Sequence, residues 1–574
     1  MNKKKLVALF LAATTVSTMV FAGCGSTEEK KETSTEKTAD TKPDKDQTLN
    51  LVGYDYTSLD PAKVSDAESF TSMNQVFEGL MREQTDIKGN TKIVNAGAEK
   101  VDVSSDKLTY TFHLRKDAKW TDDKPVTAKD YVYAWKRLIN PTTAAPYMTI
   151  LAELNVKGAQ EIIDAATAKK DKATTDALVE KLGVEAKDDY TFEVKLAKPT
   201  PYFLNAMTFK GLVPVREDKV KAAGDKYGAD INTVVYNGPF TISDYQKGSK
   251  IVYKKNTKYW NAKNIKLETA NGFIIDESNT LVKMFETGEL DLTGASKDNL
   301  ARLKEKAKNG EITYIHGKDT TSYYEYFNVT KGILKNAKVR KALSLAINRQ
   351  EYLDVVYKRM IPAYGLITDG VDCSGSVYRK EVPEPIKNDV EEAKKLMTEG
   401  LKEEGVDASK VVIKDLLGTK TSTTSAIGDY MEKLYKDTFG IKLEQVFTPD
   451  SKTFFKLLNE GDFDIASSGW GPDYDDISSF FGVFLSDSAN NNGHYKNPKY
   501  DELVKKAASE EDAKKRVELY KEAEKILVAD DAGIMPSYYA DINSFRKNYV
   551  KGSTFSKFGG QYDLSQVYIS GKTK

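Results

Sequence analysis

Hydrophobic and polar residues alternate strictly in two stretches of the chain. In LTYTFHLR (Leu108 to Arg115), Leu108, Tyr110, Phe112 and Leu114 share one face. In YTFEVKLA (Tyr190 to Ala197), Tyr190, Phe192, Val194 and Leu196 do the same. A period of two predicts half-buried β-strands, and His113 falls on the polar face of the first. Elsewhere the period is helical. Thr127 and Asp130 form a capping-box start for AKDYVYAWKRLI, whose buried stripe is Tyr131, Trp135 and Leu138. NAKVRKALSLAINRQEYLDVVY sets Val339, Ala342, Leu343 and Ala346 on one stripe. EDAKKRVELYKEAEKILVAD does so with Val517, Tyr520, Ala523 and Leu527. These stripes read as core packing. Strands and helices mix to the end of the chain without a repeat or a heptad array, so the class is α/β or α+β.

The start is patterned differently. MNKKK is followed by the apolar run Leu6 to Ala22, which is short for a membrane span and diluted by Thr and small residues. It reads as an export signal over residues 1–23. The run ends FAGC, which resembles a bacterial lipobox with Phe21 in place of the more usual Leu. That motif implies lipidation of Cys24 on sulfur, with palmitate-type acyl chains as the anchor. Residues 24–47 carry almost no large apolar side chain and are expected to form a disordered, extended tether. No later run is apolar enough to cross a bilayer. The expected location is the extracytoplasmic face of a cell membrane, held by lipid alone.

Composition narrows the chemistry. The 574 residues carry 85 Lys and Arg against 85 Asp and Glu. Removing the signal segment leaves a formal charge near −3, which gives no electrostatic reason to expect nucleic acid. Two Cys (Cys24, Cys373) and three scattered His (His113, His316, His494) offer no metal-ligand spacing, so neither a metal nor a redox cofactor is expected. The 32 Tyr suit a binding cleft as well as an ordinary core.

The densest chemical feature is GWGPDYDD, Gly469 to Asp476. Counting from Asp473, a calcium loop requires Gly at position six and Glu at position twelve. Those positions hold Ser478 and Phe484, and the calcium reading fails. A catalytic carboxylate pair lacks a neighbouring nucleophile or donor pattern. What remains is a receptor for a positive charge, or carboxylates facing water. FDIASSG reads as a strand that runs into this loop, and Gly469 and Gly471 allow close approach of another main chain.

Several blocks, in order, resemble the family 5 extracellular solute-binding proteins of ABC importers, and within them the oligopeptide-binding lipoproteins. They are Ser58 to Met81, Trp120 to Tyr147, Tyr236 to Asn261, Lys335 to Gln350, Phe463 to Phe481 and Asn497 to Ala507. The resemblance implies a type II periplasmic-binding-protein fold, two α/β lobes with a hinge and an extra inserted domain. Lobe I would take residues 48–79, 206–319 and 543–574, the extra domain 80–205, and lobe II 320–542. The chain would cross between lobes near Asp319–Phe327 and Tyr539–Lys547. It implies a monomeric, non-enzymatic receptor that closes over an oligopeptide and delivers it to the transmembrane subunits of an ABC permease. Asp473, in the Trp470–Tyr474 run, would receive the peptide's amino terminus. Trp470, Gly469, Gly471, Tyr147, Tyr323, Tyr324, Ser65 and Ala67 would line the cleft. Asp475 and Asp476 lie beyond the matched run and read as solvated or capping residues. Some relatives carry a disulfide at positions that correspond to Thr320 and Gly471, neither of them Cys. The same fold would also serve a receptor for a nickel chelate, a sugar or haem. A surface protein for signalling peptides or adhesion is the alternative from another class.

Overall fold

The structure is a computed structural model that describes residues 42–86, 91–295, 297–373, 375–552, 554, 556–558 and 561–573. The export signal, Cys24 and most of the expected tether lie outside the described residues. Pro43–Lys574 form one compact unit.

The expected tether ran to Gln47, but its last residues are fixed. Asp44 N–H donates to the Ile569 carbonyl (2.9 Å) and the Gln47 side-chain amide pairs with both backbone groups of Ile569 (2.8 and 3.0 Å). Low hydrophobicity marked these residues as disordered. A single buried Gln, exchanging two bonds with a distant segment, overrides that composition.

Strand Thr48–Val52 opens a four-stranded sheet, parallel to Thr269–Phe273, which continues antiparallel through Lys250–Lys255 to Phe240–Gln246. Helix α1 (Ala67–Val76) follows. Its cap is Asp66, whose carboxylate accepts from Ser69 N–H at 2.8 Å. The two alternating stretches form Thr109–Leu114 and Thr191–Lys195, the central pair of a second four-stranded antiparallel sheet. Tyr110, Phe112, Leu114, Phe192 and Val194 point inward. Helix α2 (Ala128–Ile139) starts at the expected Thr127–Asp130 capping box and lays Tyr131 and Trp135 against Phe192, with ring centroids 5.5 and 5.3 Å apart. One continuous apolar core joins these two sheets.

The large sheet has seven strands. Six are used here: β1 (Leu292–Gly294), β2 (Ile312–Phe327), β3 (Val412–Thr419), β4 (Lys442–Thr448), β5 (Ile465–Trp470) and β6 (Ile534–Lys547). Their order is β1-β6-β2-β5-β3-β4. β2 is antiparallel to both β6 and β5, while β3 is parallel to β5 and β4. β2 and β6 are the longest strands among the described residues, 16 and 14 residues, and both segments read as lobe crossings lie within them.

Each face of this sheet has its own core. Tyr324, Tyr326, Ala466, Phe484 and Tyr520 belong to one, and Phe327, Leu343, Met431, Tyr435 and Ile465 to the other. The helical stretch at 336–357 is two helices, α3 (Ala337–Leu345) and α4 (Arg349–Val356). Asn348 breaks the run because its side chain caps α4, accepting from Glu351 N–H at 3.2 Å. Further along lie α5 (Ser422–Phe439) and α6 (Ala513–Glu524), the latter ending in a wider π-turn over Lys525–Asp530.

Candidate functional site

β5 ends at Trp470, and the chain turns at once into the acidic loop. Asp473 is buried, 6% exposed, three residues past the strand. Its carboxyl accepts from the Tyr147 hydroxyl (3.0 Å) and the Ser479 hydroxyl (3.3 Å), and its N–H donates to Ser479 Oγ (2.8 Å). Burial lifts its pKa to about 7, against the pull of the two hydroxyl donors. Tyr147 comes from the region of the inserted sheet. Its ring packs on Phe70 and Phe209 and lies 6.1 Å from Trp470. The carboxyl faces a small cavity, about 10 Å³, lined also by Asn74, Glu83, Thr208, Lys210, Phe558 and Asp563. No cation among the described residues lies in ion-pair contact with it. A carboxyl poised near neutrality in such a place gains a strong partner from any ammonium that enters, because the charge-assisted bond favours the ionised form.

The neighbouring acids are built otherwise. Asp476 is not solvated: it is 2% exposed and forms a two-pronged ion pair with Arg516 of α6, at 2.6 and 2.8 Å. It also caps the next turn, accepting from Ser478 N–H at 2.8 Å. The Arg516 guanidinium lies 5.0 and 5.2 Å from the rings of Tyr202 and Tyr520. Asp475 is half-buried and accepts from Asp372 N–H at 3.3 Å, while its carbonyl takes the Asn205 amide at 2.8 Å. Tyr474 stacks on Tyr202, 5.8 Å and 4° apart. The loop is thus fastened to the inserted region on one side and to α6 on the other.

The other expected cleft residues divide. Tyr323 and Tyr324 are successive on β2, so they point to opposite faces. Tyr323 is partly exposed and stacks on Tyr538 (4.6 Å). Tyr324 is 1% exposed, packs edge-on to Tyr326 and Phe484, and is a core residue rather than a cleft residue. Ser65 is partly exposed and Ala67 exposed, both at the start of α1. Gly471 is exposed as well. Gly469 has a different role from the close main-chain approach expected. A Cβ there would stand 2.7 Å from the Tyr323 ring, so the missing side chain makes room for that Tyr. The residue nearest a Cβ at Gly471 is Thr321 (3.2 Å). Thr320 instead donates to the Lys557 carbonyl at 2.7 Å, so Thr320 is not the partner that faces Gly471.

Sequence reasoning missed Lys210, Glu83 and Asp563. Burial lowers the pKa of Lys210 to about 8. Asp563 pairs with Arg82 at 3.0 Å, and Glu83 accepts the N–H groups of Lys557 and Phe558 at 2.7 and 3.1 Å. The signal for Lys210 was its position alone inside the apolar run FKGLVPV.

A mixed α/β body with two four-stranded sheets, a seven-stranded sheet built on the long pair β2–β6, and a buried carboxyl just past β5 fits the class of solute-binding proteins. The family model for bacterial extracellular solute-binding proteins, family 5, matches residues 92–492, and the chain belongs to that family. It is 33% identical over 524 residues to the periplasmic oligopeptide-binding protein OppA of Haemophilus influenzae, covering 90% of this chain and 91% of that one. Among solved structures it resembles the substrate-binding domain of an oligopeptide ABC transporter from Bacillus anthracis (TM-score 0.83, 31% identity, 92% of this chain and 100% of that one). It also resembles OppA of Listeria monocytogenes bound to peptide (TM-score 0.81, 32% identity, 92% and 100%). These relatives are substrate-binding transport proteins, and the chain is not an enzyme.

Proposed function

We propose that the protein is a surface-tethered receptor that captures oligopeptides and hands them to an ABC permease for import. Lobe I comprises 48–79, 206–319 and 543–574, the inserted domain 80–205, and lobe II 320–542, with β2 and β6 as the connection. The two lobes close over the ligand as a population shift biased by binding. Cys24, lipidated, anchors the chain to the outer face of the membrane. The names of the relatives, oligopeptide-binding proteins and a peptide-bound structure, support the ligand class.

One observation carries this reading: Asp473 is a carboxyl without a cationic partner among the described residues, buried, and aimed into a cavity where the inserted region meets β5. In this reading it receives the α-ammonium of the peptide, and Tyr147 and Ser479 hold its two oxygens in place. Trp470 walls the first residue. Backbone pairing along the exposed edge at Gly471 holds the rest without regard to side chain.

The test is calorimetric titration with peptides of four to six residues, each with a free or an acetylated amino terminus. The parent protein binds the free form, and acetylation or Asp473→Asn weakens binding by about 10- to 100-fold. Equal affinity for free and acetylated peptides removes Asp473 from this role. For the anchor, Cys24→Ser releases the protein from membranes to the medium; retention on the membrane rejects lipidation at Cys24.

A further inference from the structure

Behind the strands that lead to the loop, the large sheet contains a second acidic feature that ligand capture does not use. Glu325 of β2 and Asp415 of β3 are 6% and 3% exposed, on the sheet face that packs against α5. Both line a void of about 10 Å³ whose remaining walls are Ile427, Met431 and Tyr435 of α5 with Leu443, Ile465 and Met535. Ser467 of β5, the direct neighbour of Glu325 in the strand register, faces it too. Glu325 Oε2, Asp415 Oδ1 and Ser467 Oγ are buried without a hydrogen-bond partner among the described residues. The other Glu325 oxygen takes only a long bond from the Ser537 hydroxyl of β6, 3.4 Å.

The groups that face the pair include no cation. Tyr352 and Tyr357, on α4 and just after it, and Tyr435 of α5 face it. Tyr430 and Tyr538 stand in the next layer. Two guanidinium groups act on these Tyr: Arg349, beside Tyr435, is consumed by the carbonyls of Pro536, Ser344 and Ile347 at 2.7, 3.2 and 3.3 Å, and Arg359, beside Tyr357, donates to Asp541 at 3.4 Å. An ionised carboxylate buried without a counter-charge costs several kcal/mol, so it takes up a proton instead.

We propose that Glu325 and Asp415 form a proton-binding site that keeps the large sheet intact at and below neutral pH and loosens it when both carboxyls ionise. Burial raises the proton affinity of both groups in the folded chain, and repulsion from Glu325 adds to it at Asp415. In the unfolded chain both ionise near pH 4. Between that value and the raised folded ones the folded state holds more protons, so stability falls as pH rises across the window. On ionisation each proton passes to water, and two negative charges then face each other across β5. Two register steps from Glu325 and Ser467, Tyr323 stands opposite Gly469, the last pair but one before the acidic loop. Loosening is therefore delivered next to the ligand loop. The proposal is independent of which solute binds.

The experiment is thermal unfolding of the ligand-free protein from about pH 5 to pH 9, for the parent, Asp415→Asn and Glu325→Gln. The amides keep the shape and cannot ionise. The expected result is that the parent loses roughly 3 °C or more relative to both variants as pH rises from about 5 through the raised folded values. Parallel curves for all three proteins overturn the proposal. If both variants melt low at every pH, infrared difference spectroscopy of the parent against each variant decides. A protonated-carboxyl band at about pH 6 that is weaker in both variants than in the parent supports the site. An equal band in all three proteins overturns it.

Discussion

Asp473 and Asp476 stand three residues apart in one loop and are both buried, yet they are opposites. Asp476 is closed on every side: Arg516 takes both oxygens and the Ser478 N–H adds a third donor. Its charge is spent on the fold. Asp473 meets only hydroxyls, which donate weakly and leave the carboxyl close to neutrality. The difference teaches that burial alone does not mark a ligand site. A buried acid with its cation inside the fold is structure, and a buried acid whose cation is missing is an open position for one that arrives from outside.

Substitution at the closed end is the strongest way to break this comparison. Asp476→Ala removes the carboxylate that takes both prongs of the buried Arg516, and should cost about 3–5 kcal/mol of unfolding free energy, measured by urea denaturation. A cost near zero would mean that Arg516 finds another partner and that the two acids are less different than described. At the open end, Asp473→Asn should leave the denaturation midpoint almost unchanged, while affinity for a peptide with a free amino terminus falls by about 10- to 100-fold.

pH sharpens the same contrast. Asp473 titrates near 7 in the free receptor, and a bound ammonium holds it ionised at lower pH. Binding at acid pH therefore expels a proton. Affinity should fall by up to about tenfold per unit as pH drops below 7, reach a plateau above it, and decline again as the peptide amine loses its own proton near pH 8. A flat calorimetric profile from pH 5 to 7 would reject a poised Asp473. Tyr147→Phe should have the smallest effect. It removes one hydroxyl donor, worth about 1 kcal/mol or some fivefold in affinity, and shifts the acid limb of the profile to higher pH. An unshifted limb would mean that Tyr147 acts on Asp473 by packing alone.

The local rules were legible where they were self-contained. Alternation located the paired strands around Phe112 and Phe192, and the Thr127–Asp130 capping box located the start of α2. The residues of the acidic loop excluded calcium by spacing, but only a resemblance to known receptors singled out Asp473. Of the two readings of Asp476, solvated or capping, the cap on Ser478 N–H holds, while its ion pair was not foreseen because Arg516 lies forty residues further on. Nothing local to either residue announces the pair. Tyr324 was misplaced by grouping adjacent residues, which a strand forbids. The helix break at Asn348 was overlooked because the apolar stripe continues through it, while the capping side chain takes precedence. The chamber at Glu325 and Asp415 needs three strands in register before its residues meet.

Where the body begins carries a mechanical consequence. Residues 44 to 47 are laced to Ile569, Gly571 and Lys572, and strand Thr48–Val52 is laced in parallel to Thr269–Phe273. A pull along the chain at Pro43 is therefore carried in shear by bonds to Ile569, Gly571 and Lys572 and to strand Thr269–Phe273. Those bonds share the load before any single one fails. None of them belongs to β5 or the acidic loop, so a load applied there is borne outside both.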